Sequence, residues 1–174
     1  MKAHIRNITY ILFLFLLILP SFPLFSKTLP DIRLIDIQKE MSTRLIGTLQ
    51  GKVRDNKTSL FILNFTSESC EPCNREIPEL LSEYKKWKYR NIELIFIFVG
   101  DDYDKILKKT EELSIPKGTM IFSDPLSTSM RRMKFDGVPT TMLVNSNMEI
   151  LERVVGYNQI KFSKLINKIE EFTK

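Results

Sequence analysis

Two short stretches of this chain are apolar almost from end to end: SLFILNF over Ser59–Phe65 and IELIFIFVG over Ile92–Gly100. Each has the length of a strand, and neither alternates regularly with polar residues, so each is expected to be covered on both faces. A sheet with helices packed on either side offers that environment. The intervening segments supply the helices. Cys73 to Tyr89 sets Ile77, Leu80, Leu81, Tyr84 and Trp87 three or four residues apart, and Asp101 to Leu113 reads as a charged surface helix ending before Pro116. GTMIFS is a brief third strand. Asp124 followed by Pro125 predicts an N-cap and first helical residue for a short helix through Met133. PTTMLVN and EILERVVG predict two strands about a Ser146-Asn147 turn. Gln159 to Phe172 then predicts an amphipathic helix with Ile160, Phe162, Leu165, Ile166 and Ile169 on its apolar side. The order is β-α-β-α-β, a short helix, then β-β-α, which predicts an α/β sandwich with parallel early strands and a late antiparallel hairpin.

The first 26 residues have a different character. Lys2 and Arg6 precede nine consecutive apolar residues, Ile11 to Leu19, followed by Pro20, Ser21 and Pro23. A charged start and a short apolar run are the layout of a secretory signal, and extending the run from Ile8 to Phe25 brings it near the lower limit for a membrane anchor. Either reading makes 1–26 a signal peptide or anchor and 27–174 the folded domain. With positive charge ahead of the apolar run, both readings place that domain outside the cytoplasm. The formal charge of +5 also loses its force once Lys2, Arg6 and Lys27 are set aside, because 23 basic and 21 acidic residues remain. So balanced a domain gives no electrostatic reason to bind nucleic acid.

The chain's two cysteines, Cys70 and Cys73, lie in FTSESCEPCNREIPEL, between the first strand run and the first helical pattern. A zinc site needs four ligands, and the single histidine, His4, falls in the leading segment. A structural staple closing so small a loop constrains the unfolded chain very little. A working redox pair has a mechanism instead. A cysteine opening a helix faces unpaired backbone N–H groups and the positive end of the dipole, both of which favour thiolate. Pro72 suits the first helical turn, where no N–H is needed. Cys70 is thus expected to be the exposed nucleophile and Cys73, one turn in, the resolving thiol.

With LFILNFTSESCEPCNREIPEL followed by DGVPTTMLVNSNMEILERVVG, the chain resembles the thioredoxin superfamily, specifically the membrane-tethered TlpA/ResA branch of thiol–disulfide oxidoreductases. The resemblance runs from about Leu29 to Phe172, with LPDIRLIDI matching the branch's first strand. It implies a thioredoxin-like three-layer α/β/α sandwich with a mixed central sheet. It further implies that Pro139 is a cis-proline against the redox pair and that the Val138 backbone binds an extended substrate segment. Pro78 matches a proline that bends the family's first helix. Glu76 matches a glutamate that ResA-type proteins use. It lies one turn beyond Cys73, and Asn64 takes the place of the buried acid found in thioredoxins proper, so Glu76 is the candidate base for the resolving thiol. The chain departs from the family at Thr66 and Ser69, where tryptophans are usual. The aromatic shield is therefore expected to be missing and the partner groove more polar.

Glu68, Glu71 and Glu76 surround the pair, with Arg75 the nearby cation. Negative charge disfavours the Cys70 thiolate, which points to a reductant rather than an oxidant. No bound cofactor is expected beyond the Cys70–Cys73 disulfide, since no phosphate loop or flavin fingerprint occurs, and Trp87, Tyr84, Met130 and Met133 have core spacing. The expected partners are a protein disulfide client, with apocytochrome c the option the resemblance suggests beside general extracytoplasmic disulfide reduction, and an upstream thiol donor, a membrane protein. Membrane association is expected only through the N-terminal segment. A peroxidase of the peroxiredoxin type would need a cysteine in a different loop. The rival from another class is a redox-inactive thioredoxin-like adaptor that binds partners through the same groove.

Overall fold

The computed structural model describes residues 28–87 and 90–172. The expected signal peptide or anchor over 1–26 lies outside the described residues. Arg33–Asp36 (β1) and Met41–Arg44 (β2) pair antiparallel and lead into Leu45–Asn56 (α1). Leu60–Thr66 (β3), Glu71–Trp87 (α2), Ile92–Val99 (β4), Tyr103–Glu112 (α3) and Met120–Asp124 (β5) follow. Thr128–Met133 (α4), Thr140–Asn145 (β6), Ile150–Val155 (β7) and Gln159–Phe172 (α5) complete the order.

One seven-stranded sheet runs β2-β1-β5-β4-β3-β6-β7. Strand β3 is parallel to β4 and β4 to β5, whereas β6 lies antiparallel to β3, and β7 antiparallel to β6. The mixed sheet and late hairpin match the sequence expectation. Helices cover both faces, making three layers. Leu60, Ile62, Leu94, Phe96 and Phe98 point toward one core with Ile77, Leu80 and Trp87 of α2, Ile106 of α3, and Phe162, Leu165 and Ile169 of α5. Phe61, Leu63, Phe65, Ile95 and Ile97 point the other way, onto Leu45 and Leu49 of α1 and Met133 of α4. All seven residues of β3 are buried, as its unbroken apolar character demands.

Several boundaries differ from the sequence reading. Strand β2 and helix α1 have no counterpart in it. Helix α1 shows only a narrow stripe, Leu45 and Leu49 with Val53 partly buried, and Gly47 and Gly51 weaken its propensity. Ile160, expected on the apolar side of α5, is 83% exposed, because it lies out of phase with Phe162, Leu165 and Ile169. Helix α2 begins at Glu71, earlier than expected, and continues through Pro78. Helix α3 begins at Tyr103, later than expected, which leaves Asp101 outside it.

The N-cap expected at Asp124 is displaced by three residues. Asp124 is the last residue of β5, paired with Val99, and its carbonyl accepts from both the Gly100 and Ser127 amides. Its backbone is thus committed to the strand and to a turn, and Ser127 occupies the N-cap of α4. The side chain still caps from a distance. Oδ1 accepts the Thr128 amide at 2.9 Å, and Oδ2 accepts the Ser129 amide and hydroxyl, both at 2.6 Å. Replacing Asp124 by Ala strips three donors of their acceptor in a buried setting and should lower stability by about 1–3 kcal/mol. Urea unfolding measures it, with Asp124→Asn expected to fall between alanine and wild type.

Candidate active site

The site forms where β3 ends and α2 begins. Ser67, Glu68 and Ser69 make a tight turn after the buried strand, closed by the Cys70 amide donating to the Ser67 carbonyl at 3.2 Å. The Cys70 carbonyl accepts from the Cys73 and Asn74 amides at 3.1 and 3.2 Å, which places Cys70 at the head of α2. The Cys73 amide also points at the Cys70 sulfur, 3.2 Å away. That donor and the helix end both favour a negatively charged Cys70 sulfur.

The two sulfurs form a disulfide, with Cα atoms 5.3 Å apart. Cys70 is 8% exposed and Cys73 not at all. The expected asymmetry is present, but a bare Cys70 is not: the residue is buried within the same core cluster as Cys73 and Ile77. Glu71, between the cysteines, is exposed, with Pro72 half-buried.

Glu76 is no solvated helix carboxylate. It is 2% exposed, on the same buried face of α2 as Cys73, Ile77 and Leu80. Asn64 Nδ2 donates to its Oε2 at 3.0 Å, and the Thr141 hydroxyl donates to its Oε1 at 3.2 Å. Asn64 Nδ2 also donates to Thr141 Oγ1 at 2.8 Å, closing a triangle between β3, α2 and β6. Asn64 and Thr141 are cross-strand partners in the β3–β6 register, so the sheet itself sets this spacing. Burial pushes the Glu76 carboxyl above its ordinary value, the bonds from Asn64 and Thr141 pull it back, and the Glu79 charge adds to the rise. Asn64 Oδ1 and Thr66 Oγ1 are buried and have no hydrogen-bond partner among the described residues. Turning the Asn64 amide over would present Oδ1 to a protonated Glu76, so the triangle accommodates either protonation state.

The Val138–Pro139 peptide is cis. Val138 is half-buried and packs against both cores, one of which contains the cysteines. The segment is held from two sides. The Phe135 ring lies 4.8 Å from that of Phe65 near the end of β3, and the Pro139 carbonyl accepts the Gly156 amide at 2.7 Å. Gly156 has φ +72, a conformation in which glycine is at ease. The five residues singled out from the sequence therefore divide. Cys70, Cys73 and Glu76 share α2 and its N-terminus, while Val138 and Pro139 enter from the start of β6 at the same end of the sheet.

Thr66 is not a loop residue. It closes β3, is 1% exposed and pairs with Phe98. Ser69 is exposed beside Cys70, in line with a more polar rim. The Arg75 guanidinium sits 6.0 Å over the Tyr157 ring, and the Tyr157 hydroxyl donates to Glu79 at 2.6 Å. Sequence reasoning missed Thr141, whose place is set by strand register, and Asp101. For Asp101 a signal existed: an acid just past the carboxyl end of a parallel strand stands where open α/β sheets gather their functional groups.

A sequence profile described as thioredoxin-like matches residues 58–150. The thiol–disulfide oxidoreductase ResA of Bacillus cereus is 26% identical over 146 residues, covering 78% of this chain and 79% of that protein. ResA of Bacillus subtilis is 27% identical over 105 residues, covering 60% of this chain and 58% of that protein. Among solved structures, the thioredoxin domain of a thiol–disulfide oxidoreductase from Bacteroides vulgatus superposes with a TM-score of 0.66 at 20% identity, over 84% of this chain and 96% of that one. StoA from Bacillus subtilis superposes with a TM-score of 0.59 at 17% identity, over 85% of this chain and 99% of that one.

The Glu76 environment has a pH signature. A folded-state pKa raised above the ordinary 4.5 means that, between the two values, the native chain holds a proton the unfolded chain has released. Stability is then greatest below that ordinary value and falls as pH rises through the raised one. Asp101, also raised by burial, contributes with the same sign. Glu76→Gln stays neutral and should flatten part of this fall, so thermal midpoints of the variant should overtake wild type toward neutral pH. Parallel midpoint curves for the two proteins would refute the cost of charging Glu76.

Proposed function

This chain belongs to the thioredoxin-like family, and on that premise we propose that it is a thiol–disulfide oxidoreductase working as a reductase of protein disulfides outside the cytoplasm. The observation that carries the reading is the strand–CxxC–helix junction, with Cys70 at the helix mouth retaining some access and Cys73 sealed one turn inside. The extracytoplasmic location rests on the charged and apolar pattern of residues 1–26.

The reaction proceeds from the dithiol. The Cys70 thiolate attacks one sulfur of a client disulfide, forming a Cys70–client bond and expelling the other client sulfur as a thiolate that takes up a proton. Cys73 loses its proton and attacks Cys70, which re-forms the Cys70–Cys73 disulfide and releases the second client thiol. Two electrons pass from the dithiol to the client. An upstream dithiol protein in the membrane returns them by the reverse exchange. Glu76 is assigned as the acceptor of the Cys73 proton, because a buried carboxylate with a raised pKa is a stronger base than an exposed one. The Val138 backbone is assigned to hold an extended client segment beside Pro139.

Acidic surroundings support the reducing direction. Glu68 and Glu71 lie on either side of Cys70, and Arg75 is engaged with Tyr157. Negative charge destabilises the Cys70 thiolate and so favours giving up the dithiol's electrons. Resemblance to the ResA branch supports a narrower client, the haem-attachment cysteines of apocytochrome c.

Insulin reduction by the purified protein tests the activity: Cys70→Ser should abolish it, and Cys73→Ser should accumulate a mixed disulfide. Equilibration with glutathione tests the direction, and a potential as oxidising as that of disulfide-forming catalysts would overturn it. An apocytochrome peptide carrying CxxCH should be reduced faster than a scrambled peptide, and equal rates would remove that client.

A further inference from the structure

The turn that delivers Cys70 is held by a side chain from a distant part of the sequence. Ser67, Glu68 and Ser69 lie outside any helix or strand, and the Cys70 amide closes their turn by donating to the Ser67 carbonyl. Asp101, two residues past β4, is 7% exposed, and its carboxylate grips the first two of the three. Oδ2 accepts the Glu68 amide at 2.8 Å, and Oδ1 accepts the Ser67 hydroxyl at 3.2 Å. The Asp101 carbonyl accepts the Ser123 hydroxyl at 3.4 Å, which roots the arrangement in β5. Burial pushes the Asp101 carboxyl up. The Glu68 and Ser67 bonds oppose that rise, the Glu68 charge adds to it, and the Lys105 charge reduces it. The acid is thus desolvated at a place where its hydrogen-bond donors belong to the turn before Cys70.

We propose that Asp101 is a positioning residue for Cys70, latching the 67–69 turn so that the Cys70 sulfur is set at the mouth of α2 in the orientation needed for attack. This rests on the dithiol reading above. The chain of contacts is short. Asp101 fixes Ser67 and Glu68, the Ser67 carbonyl fixes the Cys70 amide, and the Cys70 carbonyl begins the hydrogen bonding of α2. Freed of the latch, the turn keeps its closing bond but gains freedom to rotate. An attacking atom displaced by as little as 1 Å loses up to about a hundredfold in rate.

The test uses the full chain in a Cys73→Ser background, where Cys70 is the sole thiol. Dithiobis(nitrobenzoate) is the probe: the Cys70 thiolate attacks it, forms a Cys70–nitrobenzoate mixed disulfide and expels one coloured thiolate. Asp101→Ala should slow this attack by about tenfold or more. Asp101→Asn keeps an acceptor for the Glu68 amide and a group able to bond the Ser67 hydroxyl, and should recover most of the rate. Asp102→Ala, which removes an exposed neighbouring charge paired with Lys105, should leave the rate unchanged. An unaltered rate in Asp101→Ala, or equal slowing by Asp102→Ala, overturns the latch. Should Asp101→Ala fail to fold, Ser67→Ala decides: a severalfold slower attack supports the latch, and a wild-type rate overturns it. Insulin reduction by the parent protein is followed in parallel. Its absence would sink the dithiol reading, whereas turnover with an indifferent Asp101→Ala sinks the latch alone.

Discussion

The arrangement of this protein depends on the burial of β3 along its whole length. The strand's register is held by its one buried side-chain amide, because a one-residue slip would turn Asn64 away from Glu76 and Thr141 and into the apolar core on the other face. Pairing with parallel β4 on one side and antiparallel β6 on the other fixes where its last residue ends and where the next helix must start. The Cys70–Cys73 pair inherits its position from that constraint. The same pairing brings the start of β6, and hence Val138 and Pro139, to the end of the sheet at which β3 delivers Cys70.

Placing a polar residue in such a strand has consequences. Asn64 interrupts β3 at a position with no access to water, so its amide must find partners in the protein. It finds Glu76 from α2 and Thr141 from β6, and the three side chains tie strand, helix and hairpin together beneath the redox pair. The carboxyl is held where desolvation disfavours its charge while two donors favour it. Opposed influences of this kind, with an Asn64 amide that can turn over, leave a carboxyl able to change protonation state within the same fold.

A second buried carboxylate, Asp101, bonds the turn that precedes Cys70. Glu76 lies on the buried face of the helix that follows the first cysteine, and Asp101 holds the turn that precedes it. Cys70 is therefore framed by polar contacts in the turn before it and in the helix after it. Ser67, Glu68 and Ser69 are polar and none of them is buried, so the turn lacks apolar side chains that could hold it by packing, and the carboxylate supplies hydrogen-bonded restraint in their place.

Much of this was legible in the residues themselves. Continuous apolar runs at Ser59–Phe65 and Ile92–Gly100 are what doubly covered strands look like, and CEPC between strand and helix carries its own chemistry. Local patterns suffice there because burial of a continuous run and capping of a helix involve residues close in sequence. Helix α1 escaped because its buried stripe is narrow and interrupted by Gly47 and Gly51, and the cap of α4 moved because β5 claimed the Asp124 backbone. What the tertiary structure alone decided is which distant groups meet: Thr141 with Glu76 across 65 positions, and Asp101 with Ser67 across 34. Strand register and the crossing of α2 over the sheet create those contacts. Both are set by how all the layers pack together, and so no short stretch of sequence contains them.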